Sequence, residues 1–260
     1  MLVVVVCGSA IGADWLTGYS PTAINVRQRL LAPSWQHLLG TDHLGRDILT
    51  RVLFGGRIAL GVALASTGLA LVGGLTLGLI AGYGPRWLDN LLLLVFDTVR
   101  SYPTIVFALA IVTLLGPSLY TVVLVIVVTT MPNYGRIART QTLSLKTAEF
   151  VLAERTMGAG SLTVLAVHIL PNLVGPLLIL ASMDLGAAVA IEAGLSFLGL
   201  GVRPPTASWG TILNDGYAYV RATPWLIVSG TGALIVTTLG FTFLGEALRD
   251  LLDPKLRRST

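Results

Sequence analysis

The feature that most constrains this chain is a series of apolar runs, recurring along all 260 residues. Each is near the ~20 residues a helix needs to cross a hydrocarbon core of about 30 Å. The runs do not alternate in polarity, as the roughly ten-residue strands of a membrane β-barrel would. Helices also satisfy their own backbone hydrogen bonds inside lipid. Charge content agrees, because only 12% of residues are charged, against about 25% in a soluble domain. The expected fold is an all-α integral membrane protein, one domain over residues 1–260.

About six transmembrane helices fit the pattern. The first, Met1 to Gly12, is half a span with no basic n-region, and reads as the outer part of a truncated helix. An outer loop over 13–57 follows, in which Leu44, Ile48 and Val52 at i, i+4, i+8 predict an amphipathic surface helix over Asp42 to Leu53. The second span, Ile58 to Ala81, carries Ser66, Ala70, Gly74, Gly78 and Gly82 in one row, a stripe that lets another helix approach closely. A third span, Trp87 to Leu115, is interrupted by Asp97, Arg100 and Pro103. The fourth, Leu119 to Tyr134, continues as a polar helix to Leu145, and the fifth runs from Leu173 to Leu195. An outer loop over 199–223 and a sixth span, Pro224 to Leu244, lead into a basic tail, 245–260. The tail holds Lys255, Arg257 and Arg258, and the short loops hold Arg86, Arg136, Arg139, Lys146 and Arg155. By a narrow margin these place tail and short loops in the cytoplasm.

Between the fourth and fifth spans lies the least membrane-like stretch, Glu149 to Asn172. It reads as a short helix, a Gly-x-Gly turn at Gly158 and Gly160, and a second helix closed by Pro171. Such a segment suits a membrane surface and a partner in the water.

Several chemistries are absent. The only lysines, Lys146 and Lys255, follow Leu145 and Pro254, so no Gly-Lys-Ser/Thr phosphate loop exists. His37, His43 and His168 belong to no zinc motif, and scattered basic residues at a net charge of +4 do not describe a nucleic-acid surface. Cys7 is a small packing residue. Ser196 and His168 lie about a span apart, too far for a nucleophile and its base.

The ionisable residues inside the spans are more informative, since each costs at least about 2.5 kcal/mol at the bilayer centre unless paired or wetted. Asp97 and Arg100, at i, i+3, are placed to neutralise one another, and a structural pair and a translocation role are both open. Asp184, with no basic neighbour in sequence, requires a distant partner or a polar lumen; Glu192 suits solvent or an outer gate.

Together these pieces resemble the second permease of the dipeptide/oligopeptide (and nickel) ATP-binding-cassette importers. The resemblance rests on Leu39-Gly40-Thr41-Asp42-His43-Leu44-Gly45-Arg46-Asp47 and Gln141-Thr142-Leu143-Ser144-Leu145-Lys146. It continues through Gly158 with His168-Ile169-Leu170-Pro171-Asn172, then Glu192-Ala193-Gly194-Leu195-Ser196-Phe197-Leu198-Gly199-Leu200-Gly201. Pro204-Pro205, Ser208-Trp209-Gly210, Leu248-Arg249-Asp250 and Asp253-Pro254 complete it.

The resemblance implies a type I importer permease with no catalytic site, metal or cofactor of its own. The region 135–171 becomes a cytoplasmic coupling loop that docks into a cleft of an ATPase, with Phe150, Val151, Ala153, Glu154, Met157 and Gly158 as the coupling residues. Leu152 and Glu154 depart from the family's Glu-Ala-Ala signature, which leaves Phe150, Ala153 and Met157 as an apolar edge. Implied partners are a homologous permease, one or two ATPases holding ATP and Mg, an external binding protein and a peptide, at a bacterial cytoplasmic (inner) membrane. Asp97, Arg100, Asp184 and Glu192 are the candidates for the path or gate. Nickel chelate or haem are alternative cargoes of the same family. An ion-coupled secondary transporter using Asp97, Asp184 and Glu192 is the alternative class, although no internal repeat supports it.

Overall fold

The computed structural model describes residues 1–252, so the tail residues Asp253, Pro254, Lys255, Arg257 and Arg258 lie outside the described residues. The central element is α3 (Ile48–Tyr83), 36 residues and therefore about 54 Å long at 1.5 Å per residue. Its first turn is capped by Asp47, whose Oδ2 accepts from Thr50 N at 2.8 Å and Thr50 Oγ1 at 2.7 Å. His37 Nδ1 lies 2.9 Å from Asp47 Oδ1 and holds the cap in place.

This start corrects the helix expected over Asp42 to Leu53. Residues 42–47 form a turn instead, with Gly45 at φ +76° and a bridge between Thr41 and Asp47. Asp42 Oδ1 accepts from Leu44 N and Arg46 N, both at 2.9 Å, satisfying locally the N–H groups a helix would have used. Ile48 is wholly buried in the main core cluster rather than lying on a surface.

The small-residue row on α3 packs against α6 (Leu119–Leu145), and Ser66, Ala70, Gly74, Gly78 and Gly82 are all buried. A Cβ at Gly74 would lie 2.5 Å from Tyr134 Cβ, and one at Gly78 would lie 2.6 Å from Ala138 Cβ. Only glycine allows so close an approach.

Ahead of α3, α1 (Leu2–Ile11) and α2 (Ala13–Leu16) are fastened to it by Arg57. Arg57 donates to Ala10 O at 2.6 Å and Ile11 O at 2.7 Å, the carbonyls at the end of α1, and to Asp14 at 2.6 Å. A cation suits the C-terminal end of a helix.

The interrupted third span is two helices, α4 (Arg86–Arg100) and α5 (Thr104–Leu115), bent by 92°. Pro103 lacks the N–H a continuous helix would need. Asp97 and Arg100 are not a pair: Asp97 bonds Arg136 and Arg100 bonds Asn133, both on α6. Asp89 near the start of α4 holds Arg139 Nη2 at 2.7 Å, a second tie to α6.

After α6 the chain forms α7 (Glu149–Thr156). The next helix is not closed by Pro171. A short turn, α8 (Ser161–Thr163), passes through a π-type segment at Val164–Ile169 into α9 (Leu170–Phe197), giving one run of 37 residues, Ser161–Phe197. Pro171 sits in the first turn of α9, and the wide π turn before it absorbs the missing donor. The second outer loop contains α10 (Trp209–Ala218), started by a capping box between Ser208 and Thr211. The chain then enters α11 (Trp225–Leu252), which packs on α9.

Among the described residues four helices are long and apolar enough to cross a membrane, five if the bent pair counts as one span, and α1 is a shorter apolar helix of 10 residues.

Candidate functional site

Helix α7 stands at the end of α3 where that long helix stops. Its end is set by Gly158 at φ +92°, a left-handed conformation that glycine adopts without strain. Gly158 N donates to Arg155 O at 3.1 Å and Ala159 N to Glu154 O at 3.0 Å. That pair is the Schellman arrangement, which stops the helix sharply.

The helix is held against the bundle on one side and bare on the other. Val151, expected among the partner-contacting residues, is wholly buried beside Tyr134, Val164, Ile169 and Leu173, and therefore anchors α7 rather than presenting to a partner. Phe150 is 48% exposed and Met157 74% exposed, and Ala153 is exposed between them. Leu152, at the altered signature position, adds apolar surface at 46% exposure. Glu154 is half-buried, 3.8 Å from His168 Nε2, and the ring of Phe150 lies 6.4 Å from that of His168.

Two ties join the region to the end of α3. Arg155 Nη2 donates to Tyr83 Oη at 2.8 Å, with the guanidinium over the Tyr83 ring, and Lys146 Nζ donates to Gly82 O at 2.7 Å. Arg155 thus ties α7, and Lys146 the end of α6, to the end of α3, and the π segment leads from α8 into α9. These tethers carry no sequence signal, because their partners lie 72 and 64 residues apart.

The carboxylates within the spans are not gathered into one site. Asp97 is exposed and ion-paired to Arg136. Asp184 faces Tyr134 of α6, and neither Asp184 Oδ2 nor Tyr134 Oη is in hydrogen-bond geometry. Glu192 is wholly buried, which corrects its assignment to solvent: Ser196 Oγ donates to its Oε1 at 2.7 Å, and α10 lies across it. A side chain on Gly210 would strike Ala193 O and Ser196 Cβ, so α10 and α9 touch backbone to backbone. Trp209 Nε1 donates to Val52 O at 2.8 Å and locks α10 to the start of α3 as well. Ser196 serves that packing, and His168 sits near α7, so these two side chains do not meet.

A cluster missed at the level of sequence joins the turn before α3 to α10. Arg46 Nε meets Asp42 Oδ2 at 2.6 Å, Arg46 Nη2 reaches Asp215 Oδ2 at 3.4 Å, and Arg51 Nη2 lies 3.9 Å from that same oxygen. His43 stacks on Tyr219 at 4.9 Å and lies 3.9 Å from Asp215. Burial pushes the Asp215 carboxyl above the usual carboxylate range, against the pull of His43, Arg51 and Arg46. The density of charge just before an apolar helix was the available signal.

Residues 74–258 match the family described as "Binding-protein-dependent transport system inner membrane component". A dipeptide transport system permease protein DppC of Alkalihalophilus pseudofirmus is 40% identical over 95% of this chain and 82% of its own length. A di/tripeptide transport system permease protein DppC of Pseudomonas aeruginosa is 36% identical over all of this chain and 87% of its own. Among solved structures, an inward-facing conformation of the MetNI methionine ABC transporter covers 78% of this chain and 97% of its own. Its TM-score is 0.65 at 18% identity, a likeness of fold. With its broken third span, its bare helix between the fourth and fifth spans and these relatives, the chain belongs to the binding-protein-dependent transport system inner membrane components, as a membrane-spanning permease subunit of an ABC importer.

Proposed function

We propose that this chain carries dipeptides or short oligopeptides inward across a bacterial cytoplasmic membrane, as one half of a heterodimer with a homologous permease. An external binding protein delivers the peptide to the outer loops. One ATPase docks on α7, and ATP and Mg are held in the ATPase subunits. The observation that carries the coupling role is the bare apolar edge of Phe150, Ala153 and Met157 on a helix anchored by Val151. An apolar helical edge suits insertion into a hydrophobic cleft.

The mechanism then follows from rigid connections. ATP closes the two ATPases, α7 moves with its cleft, and Arg155 and Lys146 pass the displacement to α3 while the π segment passes it to α9. The helices tilt as bodies and the path opens to the other side, as in alternating access by domain rocking. The peptide reading is supported by relatives that match over nearly the whole chain. Ion coupling gains no such support from these relatives, and of its three carboxylates Asp97 is ion-paired and Glu192 enclosed, which leaves Asp184.

The test is reconstitution of both permeases and the ATPases in proteoliposomes, with binding protein outside and labelled dipeptide as cargo. Uptake should require ATP and the binding protein. Uptake that follows an ion gradient without ATP refutes the assignment, and nickel uptake in place of peptide refutes the cargo.

A further inference from the structure

The polar cavity at the end of α3 away from α7 has no role in the coupling just described. It encloses about 210 Å3 and is lined by Arg46, Arg51, Arg203, His43 and Asp215 among others. Asp42 lies beside it with both oxygens occupied, Oδ1 by two backbone N–H groups and Oδ2 by Arg46 Nε. Three guanidiniums against two carboxylates leave the cavity with an excess of one positive charge.

Arg46 is committed to Asp42. Arg51 is held more loosely: it is 2% exposed and ion-paired to Asp42 and Asp215 at 3.5 and 3.9 Å, yet its Nε makes no hydrogen bond among the described residues. Asp42 Oδ2 is 3.5 Å from that nitrogen, and only Nη1 donates, to Pro21 O at 3.3 Å. Arg203 stands exposed on the rim, with no ion pair among the described residues. A buried N–H left open is costly until something accepts from it.

Asp42, His43 and Asp215 come close enough to suggest a cation instead. Arg46 and Arg51 already face those carboxylates and would repel one. An anion fits, and guanidinium forks match a planar carboxylate best. The volume is below the roughly 300–1,000 Å3 that holds a whole small ligand, so the cavity suits one end of a longer molecule.

We propose that this cavity is a carboxylate site, which takes the free C-terminal carboxylate of a peptide between Arg51 and Arg203 while the rest of the peptide extends outward. The identity of that ligand rests on the peptide reading above; the anion chemistry does not. The test uses the assembled transporter without binding protein, titrated with N-acetylglycine and with N-acetylglycinamide while its thermal unfolding is followed. N-acetylglycine should raise Tm saturably and the amide should not. Arg203→Gln should weaken the apparent affinity about tenfold, the loss of one charge-assisted hydrogen bond. Arg203→Lys, which keeps the charge without the fork, should fall between. No shift with N-acetylglycine, equal shifts with both compounds, or an unchanged affinity in Arg203→Gln overturns the proposal. A transporter that binds N-acetylglycine here yet carries no peptide refutes the cargo reading alone.

Discussion

The contact between α3 and α6 offers a measurement in which two substitutions of the same kind separate packing from propensity. A Cβ placed on Gly78 would lie 2.6 Å from Ala138 Cβ and 3.0 Å from Arg139 N. Carbon atoms rest at about 3.5–4.0 Å, so the helices must part locally by about 1 Å, and a gap of that size forfeits a quarter to a half of each contact energy along the seam. Overpacking of this kind costs about 1–3 kcal/mol. Gly68 is on the same helix, and a Cβ there meets nothing within 4 Å. Both substitutions to alanine gain the same intrinsic helix preference, up to ~1 kcal/mol, so their difference isolates the clash. Gly78→Ala should therefore be less stable than Gly68→Ala by about 2 kcal/mol. Unfolding of the purified chain in mixed micelles, followed by tryptophan fluorescence, reads this directly. Equal stability of the two variants would refute the close-approach reasoning.

Trp209→Phe keeps an aromatic ring but removes the N–H that Val52 O accepts; a loss of about 1–2 kcal/mol in the same unfolding assay is expected, and no loss would show that α10 is held by packing alone. Asp89 and Arg139 join α4 to α6 and remain partly exposed. A double-mutant cycle to alanine should give a coupling of only about 0.5–1 kcal/mol, weaker in high salt, and additive losses would contradict the tie.

Apolar length makes the spans legible, because lipid forces each to be a helix whatever its neighbours. The row Ser66 to Gly82 is legible for a similar reason: small residues at every fourth position lie on one face and leave room for a close helix contact. Other features depend on residues far apart in the chain. Arg100 lies one turn from Asp97, yet Asp97 takes Arg136, 39 residues away. Nothing in the sequence reveals that α10 folds across Glu192 and seals it from water. The spacing of Leu44, Ile48 and Val52 misleads, since Asp42 and Gly45 favour a turn more strongly than three apolar residues favour a helix. On α7 the exposed edge is readable from i, i+3, i+7 spacing, whereas the burial of Val151 depends on where α9 passes.

Coupling requires that α7 receive force from the ATPase. Phe150→Asp and Met157→Asp each put a charge on its bare edge without touching the buried anchor at Val151. Burying an unpaired charge in an apolar cleft is costly enough to undo docking. The decisive measurement is peptide uptake and ATP hydrolysis side by side in proteoliposomes holding the complete transporter. Coupling through this edge predicts that either substitution lowers uptake at least about tenfold while the ATPases keep hydrolysing ATP; unchanged uptake would contradict it.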